Sequence, residues 1–444
     1  MTSNDLCFVV RRGQPLSGHT TVPGDKSLSH RAVMFGALAD GVTQVRGWLA
    51  AGDTEATLRT IQRLGVRVER HDLNTLTVYG GRLQEPSAPL DLVNAGTGIR
   101  LMAGIMAGQA FPSVLDGSEQ LRRRPMKRVI EPLAQMGAHI ESRAGCAPLT
   151  ITPAPLRGIR YELPVASAQV KSAILLAALF ARGSTTVIEP GAARDHTERM
   201  LASMGVDLAV DGSAVTLTPG GALRPLDLTI PGDISSAAFL IVAGLVVPGS
   251  DLTLTGVNLN VTRTGLIDVL RAMGGDISVT ETGLEGGEPV GEIRVRHSAL
   301  KALMVDGDVV VRMIDEFPAF MVAALNAEGE TVVRDAQELR VKETDRIAVM
   351  TAELARLGAQ ITETPDGFRL TGPQTLRGAV VDGHDDHRIA MSLSIAGLVA
   401  EGTTIVTDAR CTADSFPGFA ATLAAVNGDV REVPLAQVAE QGQS

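Results

Sequence analysis

A single line of sequence, a helix-like stretch closed by a small residue or glycine and followed by a β-branched strand, occurs six times along these 444 residues. Few folds accommodate such a chain. The lines run over 55–68, 129–140, 197–208, 266–277, 350–361 and 419–430, and their glycines, Gly65, Gly137, Gly205, Gly274, Gly358 and Gly428, stand 68 to 84 residues apart. Each glycine is expected just past a helix C-terminus, where a left-handed residue ends the helix. A more apolar helix alternates with these, over 32–39, 100–108, 172–181, 236–247, 318–327 and 389–400. Each is followed by glycine and a strand, as in Gly183-Ser-Thr-Thr-Val-Ile188 and Gly402-Thr-Thr-Ile-Val406. Helices apolar on most sides are expected inside, and the amphipathic ones outside.

A second repetition groups the six units into two halves. Thr21-Val-Pro-Gly-Asp-Lys-Ser27 returns 208 residues later as Thr229-Ile-Pro-Gly-Asp-Ile-Ser235, an offset of three units. The chain thus reads as an α/β protein with two domains of three βαβ-type units each. The joints fall near 21–24 and 229–233, giving one domain of 1–22 plus 233–444 and another of 23–232. An open solenoid of six equal repeats is the alternative, but solenoid periods run to about 20–50 residues. The length also exceeds what one hydrophobic core usually supports.

The two copies act as a control on each other. Both keep Pro, Gly, Asp and Ser, the chemistry of a turn and a helix cap. Only the first carries charge: Lys26 stands against Ile234, His30 against Ala238 and Arg31 against Phe239. Lys26, Ser27 and Arg31 at a helix start point to a bound phosphate or carboxylate. The net charge of −10 argues against nucleic acid or an anionic membrane as partner, so local cations must hold any anionic substrate. Cys7, Cys146 and Cys411 are few and scattered, which suggests a reducing cytoplasm. The first residues lack the pattern of a signal peptide, and the longest apolar run, Ala237 to Val247, is too short to span a bilayer. We expect a soluble protein.

Polar residues gather just before the apolar stretch in every unit. They include Asn94-Ala-Gly-Thr-Gly-Ile-Arg100, Ser167-Ala-Gln-Val-Lys171, Asp233-Ile-Ser-Ser236, Asp315-Glu316 and Asp385-Asp-His-Arg388. Six such helix starts imply two threefold bundles, each with its positive ends on one face, and a cleft between the halves would direct those ends at small polyanions. The glycines at 96 and 98 resemble a phosphate turn without the Walker spacing. Arg122 and Arg123 read as a solvated patch. Lys342, Glu343 and Arg346 can share a helix face, and a surface ion-pair helix is the default expectation for them. Asp315-Glu316 reads as a capping pair or, among arginines, as a base. His384-Asp-Asp-His387 has metal-ligand residue types, but the adjacent Arg388 opposes a cation, and no metal is expected.

Taken in order, these motifs, with Arg124-Pro125, Arg194-Asp-His-Thr-Glu198, Arg340-Val-Lys-Glu-Thr-Asp-Arg346 and Asp386-His-Arg388, resemble the 5-enolpyruvylshikimate-3-phosphate synthase family of enolpyruvyl transferases along nearly the whole chain. The Ser-Ala-Gln-Val-Lys and Arg-Asp-His-Thr-Glu forms are similar to its second class, whose better-known members tolerate glyphosate. The resemblance implies two inside-out α/β barrels, each of three βαβαββ units. It also implies transfer of enolpyruvyl from phosphoenolpyruvate to shikimate-3-phosphate without metal or organic cofactor. By matching motifs, Lys26, Ser27, Arg31, Ser167, Ala168, Gln169, Arg194, Asp315 and Lys342 would hold shikimate-3-phosphate. Lys26, Gly96, Arg124, Gln169, Arg346 and Arg388 would hold phosphoenolpyruvate, and Asp315, Glu343 and Lys26 would move protons. A cytoplasmic monomer is implied.

Two departures from the family pattern stand out. Asp414 occupies a place before Ser-Phe-Pro417 where members of the other class carry Lys, and Gly96 stands where tolerant members carry Ala. The sister transferase acting on UDP-N-acetylglucosamine is the nearest alternative, but 116–124 lacks its reactive Cys. A non-catalytic binding protein on the same scaffold would be expected to have lost Lys26, Asp315 or Glu343.

Overall fold

The computed structural model describes residues 6–437 of the chain. They form two compact units. The first holds the described residues up to Pro23, Gly232–Gly283 and those from Pro289 onward; the second holds Gly24–Pro231 and Leu284–Glu288. Backbone hydrogen bonds set the joints. In the second unit Asp25 donates to the Pro231 carbonyl at 2.8 Å, and in the first Asp233 donates to Pro23 at 2.9 Å and Gly232 to Gly256 at 2.7 Å. Leu284–Glu288, inside the stretch 233–444 expected in one domain, falls instead with the second unit. There Glu288 meets His196 Nδ1 at 2.7 Å and the Gly287 carbonyl accepts from Arg199 at 3.1 Å. These contacts are set by pairing across some ninety residues, which no local pattern displays.

Among the described residues six four-stranded sheets share one plan, a parallel pair followed by two antiparallel strands. Arg160–Glu162 runs parallel to Thr185–Ile188, which pairs antiparallel with Ala214–Thr218 and that in turn with Asp207–Asp211. Each sheet belongs to a strand, helix, strand, helix, strand, strand unit. Closure explains the domain order. Asp227–Thr229 returns beside Val42–Arg46 in parallel. Leu6–Arg11 fills the place between Thr403–Thr407 and Val430–Pro434, with Phe8 opposite Val406 and Glu432. The N-terminal strand thus completes the sixth unit, and Ser17–Thr20 completes the fourth beside Asp251–Asn258.

Three apolar helices form the centre of each unit: Lys26–Leu38, Gly96–Ala107 and Ala168–Ala178 in the second, Ile234–Val246, Phe317–Leu325 and His387–Gly397 in the first. Every residue of Ile234–Val246 is buried, as a helix with no polar face requires. The amphipathic helices, such as Gly52–Arg63 and Lys127–Gln135, bury one face and leave the other in solvent. This is the inside-out α/β barrel, twice. Gly65, Gly137, Gly205, Gly274 and Gly358 have φ between 85° and 104° and end their helices as expected. The sixth line differs: Asn427, at φ 72°, is the left-handed residue and Gly428 is not. Asparagine tolerates that conformation, and a Cβ at Gly428 would stand 2.9 Å from the Leu423 carbonyl oxygen.

The central helices begin earlier than their apolar runs. Asp25 caps the first by accepting from Leu28 N at 2.9 Å, and Asp233 and Asp386 cap their own through Ser235 N and Arg388 N. Lys26, Gly96, Ala168, Phe317 and His387 lie inside first turns rather than before them. At Asp25, Asp233 and Asp386 the cap, not the change in hydropathy, sets where the helix starts, whereas Gly96–Ala107, Ala168–Ala178 and Phe317–Leu325 begin without a side-chain cap.

Candidate active site

In the second unit the predicted residues gather at the N-terminal ends of its three central helices. Arg31, only 2% exposed, donates through Nε to Thr197 Oγ1 at 2.8 Å, through Nη2 to Ser172 Oγ at 2.9 Å and through Nη1 to the Ser27 carbonyl at 2.9 Å. Burial pulls this guanidinium down to about 10, an effect that Glu198, Asp25 and Glu288 oppose and that Arg194 reinforces. Lys26 pairs with Asp53 at 3.1 Å. His30 bonds through Nδ1 to Thr57 at 2.7 Å, and burial, reinforced by Lys26 and Arg31, pushes it down to about 3. It is a neutral packing residue rather than an acid or base.

The second and third helix ends of this unit meet through Gln169. Its amide nitrogen donates to Thr97 Oγ1 at 2.9 Å and its oxygen accepts from Arg100 Nη1 at 2.8 Å. Arg100 also reaches the carbonyls of Gly96 and Pro125, both at 3.3 Å. A Cβ on Gly96 would lie 2.5 Å from Arg124 Nη1, so this arginine occupies the space that a side chain at 96 would need. Ser167 is the N-cap residue of the third helix, with Ala168 its first residue. Arg194 lies in the loop before His196–Ser203, close enough to act on Arg31.

The first unit gathers the remaining predicted residues around Arg346, itself 2% exposed. Its Nε donates to Asp386 Oδ2 at 2.9 Å, Nη2 to Glu343 Oε2 at 2.7 Å and to Asp386 Oδ1 at 3.2 Å, and Nη1 to Asp315 Oδ1 at 3.3 Å. The carboxylates outweigh burial and hold this guanidinium above its ordinary range. Lys342 Nζ stands 3.4 Å from Asp315 Oδ1, and Arg388 Nη1 donates to the Asp315 carbonyl at 3.1 Å. The expected surface ion-pair helix is thus corrected. Lys342 and Glu343 precede the Arg346–Arg356 helix, whose first residue is turned into the interior by Asp386. Asp386 is committed to Arg346, and His384 bonds Glu353 at 2.9 Å. Among the described residues no group of three His, Cys, Asp or Glu is placed to hold a metal. No helix among them is long and apolar enough to cross a membrane.

Several supporting residues escaped the sequence reading. Asp53, Ser172 and Thr197 fix Lys26 and Arg31. Lys171 is buried between Glu189 and Glu198. In the first unit Arg263 donates to Asp233 at 2.9 Å and to Ser235 Oγ at 2.8 Å. Of these Lys171, Thr197 and Glu198 lay within motifs that carried the resemblance, where none was given a role.

The EPSP synthase (3-phosphoshikimate 1-carboxyvinyltransferase) family model matches residues 10–423. A 3-phosphoshikimate 1-carboxyvinyltransferase of Citrifermentans bemidjiense is 54% identical over 417 residues, covering 93% of this chain and 97% of the relative. The solved EPSP synthase of Acinetobacter baumannii is 41% identical with a TM-score of 0.87 over 97% of this chain and 100% of that one. The enolpyruvyl transferase NikO of Streptomyces tendae, at 19% identity and a TM-score of 0.82 over 97% of this chain and 99% of its own, shares the fold.

Proposed function

The chain belongs to the EPSP synthase family, and from that premise we propose how its residues join phosphoenolpyruvate to the 5-hydroxyl of shikimate-3-phosphate. The product is 5-enolpyruvylshikimate-3-phosphate, with phosphate released, a step of chorismate and aromatic amino-acid biosynthesis. The observation that carries the chemistry is the cluster in which Asp315 and Glu343 both lie against the buried Arg346, with Lys342 beside Asp315.

The 5-oxygen bonds to C2 of phosphoenolpyruvate as the methylene carbon takes a proton, giving a tetrahedral phosphate ketal. Loss of a methyl proton and of phosphate then restores the double bond. Asp315, flanked by Lys342 and Arg346, takes the hydroxyl proton, which passes on to the departing phosphate; Glu343 with Lys26 delivers the methylene proton and later removes one. Shikimate-3-phosphate is held by Lys26, Ser27, Arg31, Ser167, Ala168, Gln169, Arg194, Asp315 and Lys342. Phosphoenolpyruvate is held by Lys26, Gly96, Arg124, Gln169, Arg346 and Arg388. Phosphate and carboxylate groups on both substrates explain so many inward cations in a chain of net charge −10. The same charge argues against nucleic acid as a partner, and the enzyme works as a cytoplasmic monomer. Phosphate release is measured with phosphoenolpyruvate plus shikimate-3-phosphate and, separately, plus UDP-N-acetylglucosamine. Release with the first pair is expected; release only with the sugar overturns the assignment.

A further inference from the structure

We infer that Lys171, held between Glu189 and Glu198, is a positioning residue for the shikimate-3-phosphate half of the site, an inference that rests on the ligand roles proposed above. The three charges are almost wholly buried, with side-chain exposures of 1% for Lys171 and 8% for each glutamate. Burying an ion cluster of this kind gives little net stability over a well-packed apolar one, so its presence here calls for another explanation. Its connections supply one.

Glu189 accepts from Ala193 N at 2.8 Å, and Lys171 Nζ reaches the Ala193 carbonyl at 3.5 Å. The ammonium and its partner therefore close the loop 189–193 on itself, and the next residue is Arg194. On the other side, Lys171 and Glu198 are each chain neighbours of the two hydroxyls that hold Arg31. Ser172 and Thr197 bond one another at 2.7 Å, and both accept from its guanidinium. Gln169 lies two residues before Lys171 on the same first helical turn. One buried lysine thus ties together the segments that carry Arg31, Gln169 and Arg194.

The charges close in the same way. Glu198 is the largest stabilising charge on Arg31, while its own burial holds its carboxyl above the ordinary range, and its Oε2 is buried without a hydrogen-bond partner. Removing Lys171 alone would leave two buried carboxylates facing each other. Removing Lys171 and the Glu198 charge together keeps the cluster's net charge at minus one, without the bridge.

The test compares Lys171→Met, the double variant Lys171→Met with Glu198→Gln, and Lys171→Arg. Binding of shikimate-3-phosphate alone is followed by calorimetry, and KM for each substrate by phosphate release. The double variant is expected to fold and to weaken shikimate-3-phosphate by about tenfold or more, the equivalent of one charge-assisted hydrogen bond. KM for phosphoenolpyruvate, which draws on Gln169 alone among Arg31, Gln169 and Arg194, should move less, and Lys171→Arg should recover part of the loss. A folded double variant that binds shikimate-3-phosphate like the parent overturns the inference, as does equal loss for both substrates. Failure of the parent chain itself to bind shikimate-3-phosphate would instead overturn the ligand assignment on which this rests.

Discussion

The two units hold their buried arginines in opposite ways. Arg31 in the second is held by two hydroxyls and a carbonyl, and Arg346 in the first by three carboxylates, although both are 2% exposed. Neutral acceptors fix a guanidinium without pairing its charge directly; Glu198, Asp25 and Glu288 act on Arg31 without a hydrogen bond to it, burial draws it down to about 10, and it keeps a positive field to offer an anion. Carboxylates cancel the charge, and Arg346 is held above its ordinary range. The first arrangement suits recognition of a phosphate or carboxylate. The second gathers acids at fixed distances, as proton transfer requires. A cation in the sequence is therefore informative only together with its acceptors.

The sharpest way to break this contrast is to remove acid chemistry from the first unit without removing a cation. Asp315→Asn keeps the shape and the contact to Lys342 and Arg346 but not the base. A fall in kcat of about 10²–10⁴-fold is expected, with substrate binding largely kept. Near-normal turnover, read by phosphate release, would take Asp315 out of the mechanism and leave Arg346 with only a structural cluster.

The reciprocal change removes the uncancelled charge from the second unit. Arg31→Met should weaken shikimate-3-phosphate by about 10–100-fold, the value of a hydrogen bond from a charged donor, with a smaller change in kcat. Calorimetric binding of that ligand alone gives the answer. An equal rise in KM for both substrates would mean that Arg31 maintains the unit's fold rather than a ligand contact.

These two sites differed greatly in how much of them could be read from sequence. The duplicated Thr-Pro-Gly-Asp segment separated Lys26 and Arg31 from their neutral counterparts Ile234 and Phe239, and Phe239 indeed lies in the core against Phe419, ring centroids 6.1 Å apart. The six units and their glycine-ended helices followed from periodicity, because local backbone requirements are written locally. Arg263 and Lys171 were illegible for the opposite reason. Arg263 finds Asp233 thirty residues away, and Lys171 finds Glu189 and Glu198 eighteen and twenty-seven residues away. At those separations a buried charge looks like a solvated one. Helix starts were placed late where a polar first turn such as Lys26 to Arg31 precedes the apolar run that marked the helix.

A pH measurement separates the two copies further, since His30 of the first corresponds to Ala238 of the second. His30 is held neutral down to about pH 3 in the folded state, against an ordinary value of 6.5. The unfolded chain therefore binds the proton first, and stability present above pH 6.5 is lost as pH falls toward 3, by up to about 1.4 kcal/mol per unit. Near pH 5 the deficit approaches roughly 2 kcal/mol. Trp48, fully buried and the chain's one tryptophan, lies in the second unit and reports its urea midpoint selectively. His30→Asn should flatten the acid slope of that midpoint; an unchanged slope would assign it to other groups.

The smallest expected effect concerns how a third arginine is placed. Arg346 is fixed by its carboxylate partners, whereas the position of Arg124 also depends on the absence of a side chain at Gly96. A Cβ there would stand 2.5 Å from Nη1 and 2.7 Å from Cζ of Arg124. Both atoms are the far end of a flexible chain, so Gly96→Ala should cost little stability and leave the Trp48 urea midpoint nearly unchanged. The guanidinium must nevertheless shift by a few tenths of an ångström or more, and a charge-assisted hydrogen bond is sensitive to that displacement. KM for phosphoenolpyruvate is expected to rise by about three- to tenfold, close to 1 kcal/mol, while KM for shikimate-3-phosphate stays within twofold. The opposite pattern would place Arg124 with Arg31 on the shikimate-3-phosphate side. No change in either would mean that Arg124 can retreat from position 96 without leaving its ligand, and that the space kept by Gly96 serves the turn into the Gly96–Ala107 helix alone.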